Sequence, residues 1–288
     1  MTSILTMYAV TPCHAGSGSS LGVVDLPIQR ERHTNWPIIQ SSGVKGAMRD
    51  HFDRWLNASN PRRDSKLTDL VFGSEKSEFA GSLAVSDAKI LAFPMRSSFA
   101  PFVWITAPAV LDRLNRDLRY AGRPTEDLTR LAGIGKGEAF WVNGRFSADT
   151  GILLEEVEVT TKHSFALQTT ADFFAKATRL LVVHDEVFWY GVSHCTSIMA
   201  HIAIDQKTGV TTDGSLRYQE ELPADSLLYT VVAWQDARDA ESKMKAQTIR
   251  DNVTKEAITT HLQVGGDETL GRGIFELKWH SEDDNHAY

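Results

Sequence analysis

One carboxylate is set apart by its surroundings. Asp25 lies in Gly22-Val23-Val24-Asp25-Leu26-Pro27, flanked by apolar residues inside an otherwise polar stretch. A carboxylate so placed can accept a proton or hold a hard cation such as Mg²⁺ or Mn²⁺. It can equally be a turn-forming Asp, because Asp bonds readily to its own backbone. His14 offers a general acid or base, although a lone histidine is more often structural.

Two other stretches suit phosphate. Ser41-Ser42-Gly43-Val44-Lys45-Gly46 reads as a helix start. Serines cap helices, and free N–H groups at a helix start receive anions where glycine lets them approach. Lys45 and Arg49 stand four apart and share a helix face. The helix dipole disfavours cations so near the start, so capping alone does not explain them. The second stretch, residues 263–273, holds Gly265, Gly266, Gly271 and Gly273 with Thr269 and Arg272. A tight connection would need one or two glycines for positive φ, and four suggest a backbone that comes close to a ligand. Gly265-Gly266-Asp267-Glu268 also begins like a diguanylate cyclase signature. Thr269 then stands where an aromatic is expected, and the chain ends too soon for that fold.

These residues need elements to hold them. Alternation and helical spacing predict a strand over residues 3–12 and a helix over 44–58 that stops at Asn60-Pro61. Strands over 81–93 and 102–106 and a helix over 108–120 follow. Residues 122–145 read as irregular, 155–161 as strand, and 171–183 as helix passing into a strand at 187–192. Strands over 198–204 and 210–218 form a hairpin turned at residues 205–209. A strand over 227–234, the longest helix over 236–262 and a strand over 274–279 complete the pattern. An acidic tail at 281–288 is expected to be disordered. Without insertions the order is strand, helix, strand, strand, helix, strand. That is an α+β, split βαβ or ferredoxin-like pattern, which also underlies the RNA-recognition fold.

Composition bounds the function. The 288 residues, 42% hydrophobic, suffice for a sizeable core. No apolar run is long enough for a membrane helix, and the N-terminus lacks a signal-peptide pattern. Cys13 and Cys195 form no metal-ligand pair, and a reducing, cytoplasmic setting is expected. The net charge of −7 argues against nucleic acid, but its distribution does not. Residues 1–66 carry eight Lys/Arg against five Asp/Glu, and residues 67–288 carry twenty-two against thirty-two. The basic part of this acidic chain is the part that holds the first two motifs.

Several runs together carry a resemblance. They are His14-Ala15-Gly16-Ser17-Gly18, Val24-Asp25-Leu26-Pro27-Ile28-Gln29-Arg30-Glu31-Arg32-His33-Thr34 and Lys45-Gly46-Ala47-Met48-Arg49. Phe72-Gly73, Ser86-Asp87-Ala88, the segment 96–108, residues 202–223 and the glycine loop 265–273 follow. Over nearly its whole length the chain resembles the backbone subunits of type III-B (Cmr) CRISPR effector complexes, RAMP-superfamily proteins of the Cas seven type.

The resemblance implies a single domain over 1–288, a modified ferredoxin-like or RRM palm with inserted segments and a β-hairpin thumb at about 192–223. It implies a filament of copies along a CRISPR RNA. The guide backbone would be gripped by the first helix (Ser41, Ser42, Gly43, Lys45, Arg49) and by the glycine loop (Gly265, Gly266, Thr269, Gly271, Arg272). It implies metal-dependent cutting of paired target RNA at regular kinks, with Asp25 catalytic, either as the metal ligand or in deprotonating the 2′-hydroxyl, and Tyr218 and Glu220 as further site residues beside the acid–base candidate His14. Implied partners are CRISPR RNA, single-stranded target RNA, further copies of the chain, and a large polymerase-like subunit, a small helical subunit and capping RAMP subunits. A scaffold that binds RNA without cutting is the alternative. The chain departs from the family pattern at Gln40-Ser41-Ser42-Gly43, where proline-glycine-serine-serine is usual. Ser197, His201 and Arg217 also stand where Glu, Arg and Trp are usual.

Overall fold

The structure is a computed structural model and describes residues 1–59, 66–74, 78–142 and 150–281, without the His163 side chain. The expected helix stop at Asn60-Pro61 and the tail beyond Ser281 lie outside the described residues. The chain begins with β1 (Thr2–Ala9), the two-residue β2 (Ile38–Ile39), helix α1 (Ser41–Ser59) and the short α2 (Lys66–Phe72). Next come β3 (Leu83–Val85), β4 (Ala88–Arg96), β5 (Phe102–Thr106) and α3 (Pro108–Tyr120). β6 (Glu138–Val142), β7 (Thr150–Leu154), β8 (Val157–Phe165) and β9 (Leu180–Val183) lead to α4 (Asp185–His194). β10 (Ser197–His201) and β11 (Arg217–Glu221) form a separate hairpin. β12 (Leu227–Trp234), α5 (Ala246–Asp251), β13 (His261–Gln263) and β14 (Ile274–His280) complete the described fold.

The palm is antiparallel, with spatial order β14-β1-β12-β4. With α1 after the first of these strands and α5 after the third, this is the ferredoxin-like arrangement. The sheet does not end there. β5 pairs β4, and β9, β6, β8 and β7 extend it, so one sheet runs from palm into insertion. Central β1 is covered on both faces: Ile4, Leu5, Met7 and Ala9 are all fully buried. Helix α1 turns Val44, Met48, Phe52 and Leu56 inward, a stripe at intervals of four.

Several expectations are corrected. The long helix over 236–262 is replaced by a polar turn, α5 and a π-helical segment, Asn252–Ala257. Short polar side chains compete for the backbone there: Asp239 Oδ1 accepts from Glu241 N–H at 3.0 Å, and Asp236 Oδ1 from Ala246 N–H at 2.9 Å. The strand over 187–192 is helix α4 instead. His184 Nδ1 accepts from Glu186 N–H and caps it, and acidic Asp185 and Glu186 suit its first turn. Gly191 lets the helix lie close to the sheet, since a Cβ there would stand 2.9 Å from Ile105 Cδ1. The helix over 171–183 is a 3₁₀ turn, Ala171–Phe174, followed by strand β9. The irregular stretch 122–145 also contains β6.

Candidate active site and RNA-binding surface

Strand β11 organises the site. Its sequence, Arg217-Tyr218-Gln219-Glu220-Glu221, places three polar side chains in a row, and Gln219, Glu220 and Glu221 are all buried. Buried carboxylates demand partners, and strand geometry sends alternate residues to opposite faces. Each face finds its partners in a different loop.

The backbone edge of the even-numbered residues carries the candidate chemistry. Tyr218 N–H donates to Asp25 Oδ2 at 2.7 Å. Leu26 N–H donates to the Tyr218 carbonyl, and Glu220 N–H to the Leu26 carbonyl. The Glu220 carbonyl then accepts from His14 Nδ1 at 2.7 Å. Cys13 and Leu222 exchange backbone bonds one step further on. Asp25 and His14 are thus fixed along one strand edge, on anchors two residues or about 7 Å apart. A carbonyl only accepts, so His14 Nδ1 carries a proton, and in the neutral ring Nε2 is the nitrogen with the lone pair. That nitrogen faces Gly16, where a Cβ would stand 2.7 Å away.

Side chains lock both loops onto the strand. Glu220 Oε2 accepts from Ile28 N–H at 3.0 Å; Oε1 accepts from Thr196 Oγ1 at 2.8 Å and pairs with Arg30 Nη2 at 2.5 Å. On the opposite face Gln219 donates to Asp267, and Glu221 pairs with Arg272 at 2.8 Å. The glycine loop itself docks on the His14 segment. Gly266 N–H donates to the His14 carbonyl, and a Cβ at Gly265 would meet that oxygen at 2.7 Å. Gly265, Gly271 and Gly273 all have positive φ. The glycines therefore have a structural use in this contact, beyond any ligand they admit. Cys13 beneath them is buried, and burial, then the charge of Glu221, push its thiol up to about 12.

Several expected residues sit differently from their sequence reading. Glu220 is expected in the cleavage site, but both carboxylate oxygens are taken and it is 8% exposed. Those bonds tie the Ile28–Arg30 segment and Thr196 to β11. Arg272 is turned inward to Glu221. Arg49 is paired with Asp69 at 2.7 Å and donates to the Gly73 carbonyl. Both were expected as free phosphate ligands. The capping expected of the serines is supplied by Asp87 instead, whose Oδ1 accepts from Ser41 N–H at 2.7 Å. Ser42 and Gly43 are exposed. Lys45 is half-buried and has no carboxylate partner among the described residues; burial, then the charge of Arg49, lower its pKa. Gly265, Gly266, Thr269 and Gly271 are exposed, and Tyr218 is 41% exposed.

Sequence reasoning missed Gln219, Glu221, Asp267, Arg30, Gly16 and Asp87. The run Gln219-Glu220-Glu221 beside a strand was the available signal, since consecutive polar residues in a buried strand require matched partners. Among the described residues no three His, Cys, Asp or Glu side chains come together as a metal cluster. No helix is long and apolar enough to cross a membrane among those residues.

A ferredoxin-like palm, a projecting hairpin and a glycine loop docked at its root define the class. The family model of the RAMP superfamily matches residues 6–276, and the chain belongs to that superfamily. It is similar to the CRISPR system Cmr endoribonuclease Cmr4 of Pyrococcus furiosus, with 33% identity over 95% of this chain and 94% of that protein. The CRISPR system CMR subunit Cmr4 of Saccharolobus solfataricus is 24% identical over 94% of each. The crystal structure of oligomeric Cmr4 from Pyrococcus furiosus superposes with a TM-score of 0.71 at 25% identity, covering 96% of this chain and 97% of that one. A chain of the type III-B Cmr-beta complex bound to cognate target RNA shares the fold, with a TM-score of 0.75 at 22% identity over 97% of each.

Proposed function

We propose that this chain is an RNA-guided endoribonuclease and backbone subunit of a type III-B CRISPR effector complex. Copies would line a CRISPR RNA beside the other complex subunits, and each would cut the paired target RNA once. The similarity to the Pyrococcus furiosus endoribonuclease supports the activity. The observation that carries the site is the fixing of Asp25 and His14 along one edge of β11.

The reaction is transesterification. The 2′-oxygen of one nucleotide bonds to the adjacent phosphorus, and the bond to the next 5′-oxygen breaks. The proton leaves the 2′-hydroxyl and a proton joins the departing 5′-oxygen. Products are a 2′,3′-cyclic phosphate and a 5′-hydroxyl. His14 Nε2, with its lone pair, is suited to take the 2′-proton. Asp25 holds one oxygen on Tyr218 N–H and has the other to offer. The donor set fits a divalent metal only as one protein ligand, with RNA phosphate and water completing the shell. Such an ion would stabilise charge on the phosphoryl oxygens. Asp25 is the residue that would hold it. Much of the rate would come from in-line placement of the reacting atoms.

The guide grip would use Lys45, Ser42 and Gly43 at the start of α1, with the exposed backbone of Gly265, Gly266, Thr269 and Gly271. Such contacts position the strand without reading its sequence.

The test is end-mapping of products from the assembled complex with a labelled target. Evenly spaced cuts ending in 2′,3′-cyclic phosphate are expected. Target binding without product would make the chain a scaffold, and 3′-hydroxyl ends would exclude 2′-oxygen attack.

A further inference from the structure

Gln219 touches both halves of the proposed machinery. Its backbone lies opposite Leu26, the neighbour of Asp25: Leu26 N–H donates to the Tyr218 carbonyl at 3.0 Å, and Glu220 N–H to the Leu26 carbonyl at 2.9 Å. Its side chain, 3% exposed, reaches the glycine loop and donates to Asp267 Oδ2. Asp267 in turn holds that loop together. Leu270 N–H and Arg272 N–H both donate to its carbonyl, at 2.9 and 3.2 Å. Its φ is +60°, a left-handed conformation that few residues besides glycine, Asn and Asp adopt. Exposed Thr269 and Gly271 therefore ride on Asp267. A second contact runs beside the first, from Arg272 Nε to Glu221 Oε1 at 2.8 Å, with Glu221 1% exposed. The tie of this loop to α1, between Arg54 and Glu268 at 3.1 Å, lies on the surface and is weak by comparison.

We propose that Gln219 and Asp267 set which phosphodiester of the target is cut, by fixing the guide-contacting loop at one distance from Asp25. This rests on the reading of Asp25 as the cleavage residue and of the glycine loop as a guide contact. Backbone contacts hold a strand without reading its bases, so register is left to the frame of the protein. The bond from Gly266 N–H to the His14 carbonyl holds the start of the loop, and the Asp267 bond holds it at the level of Asp25. From Asp267 to Asp25 the frame is one side-chain bond and one strand edge. Attack by a 2′-oxygen requires in-line placement, which a displacement of about 1 Å already spoils. A loop free to shift against β11 would present neighbouring phosphodiesters in turn. Gln219 and Asp267 are positioning residues, and neither touches the reacting atoms.

The experiment uses the assembled effector complex and maps cut positions to the nucleotide on an end-labelled target. Asp267→Gly removes the acceptor and suits the left-handed backbone. Gln219→Leu removes the donor from the other side. Each is expected to keep the spacing between cut sites and to spread every cut onto neighbouring phosphodiesters. The ratio of main to neighbouring product should fall about tenfold. The double variant should spread the cuts no further than either single one. Asp267→Asn keeps an acceptor and tolerates the left-handed backbone, and should restore single cuts. A sharp cut site in both single variants, whatever their rates, would overturn the proposal, since a loosened fold alone slows the reaction without moving it. So would spreading in Asp267→Asn equal to that in Asp267→Gly. An Asp25→Ala complex serves as the control. If it still cuts, the reading of Asp25 fails, while the cut distribution of the Asp267→Gly complex still decides whether the loop sets the position.

Discussion

His14 shows how much one residue depends on its frame. The Glu220 carbonyl selects its tautomer, and Gly16 makes room for its free nitrogen. Gly16→Ala should displace the ring without touching the guide surface. Target cleavage is then expected to fall about tenfold to a hundredfold with guide affinity unchanged, measured by single-turnover assay and gel shift. An unaltered rate would remove His14 from the chemistry. Glu220 makes the opposite prediction. Its carboxylate is buried against Arg30, so Glu220→Gln leaves a largely buried cation without its counter-charge. A loss of about 3 kcal/mol is expected in urea unfolding of the isolated chain. A loss of cleavage at full stability would instead return Glu220 to direct catalysis. Asp25 stood out in the sequence by its apolar flanks. The inward turn of Arg49 and Arg272 did not, because their partners Asp69 and Glu221 are distant in sequence and only the fold brings them together.

At the scale of elements, local signals were legible where one segment decides the outcome. Helix α3, Pro108–Tyr120, matches its apolar spacing, and β5 and β12 match their expected ranges. The turn at residues 205–209 is formed, with Gly209 N–H donating to the Asp205 carbonyl. The hairpin strands are shifted to Ser197–His201 and Arg217–Glu221, because β11 takes its register from loops remote in sequence. Helix α4 was hidden by its Val, Phe, Trp and Tyr content, which favours strand until the cap at His184 is seen. A second hidden device joins the segment after α3, held to that helix by Asn115, to the 168–170 loop. Glu126 is buried and accepts from the N–H groups of Gln168, Thr169 and Thr170. Burial alone would raise its carboxyl, but those N–H groups outweigh it and hold the pKa below the ordinary 4.5. A lowered folded-state pKa contributes stability above the unfolded value and loses it as pH falls through the folded one. Glu126→Gln should therefore cost about 1–3 kcal/mol at pH 7. The gap between variant and native chain should narrow below pH 4.5 in thermal unfolding. A gap independent of pH would mean that the charge of Glu126 is not what holds the loop.

At the scale of the whole molecule, the chain is acidic, yet its RNA surface is proposed on its basic first quarter. Among the described residues there, Arg30, Arg49 and Arg54 are engaged in ion pairs with Glu220, Asp69, and Asp50 and Glu268. Guide affinity per copy should consequently show a shallow salt slope, about two counterions, with the rest carried by backbone N–H groups and by repetition along the filament. A slope near five or more per copy, in titrations of guide RNA against NaCl, would mean that those ion pairs open on binding. The order of palm strands was readable from the sequence because each helix links two of them. The extension of the same sheet through β5, β9, β6, β8 and β7 was not, since β5 and β9 pair in parallel across a long connection.

The central claim is that Asp25, held by Tyr218 N–H on the edge of β11, is the residue that cuts. The most direct measurement is target-RNA cleavage in Mg²⁺ by the complete complex, assembled with the native chain or with Asp25→Ala. Evenly spaced cuts that disappear in the variant, with target binding intact, are the expected result. Equal cutting by both complexes would contradict the account and move the chemistry to another residue or subunit.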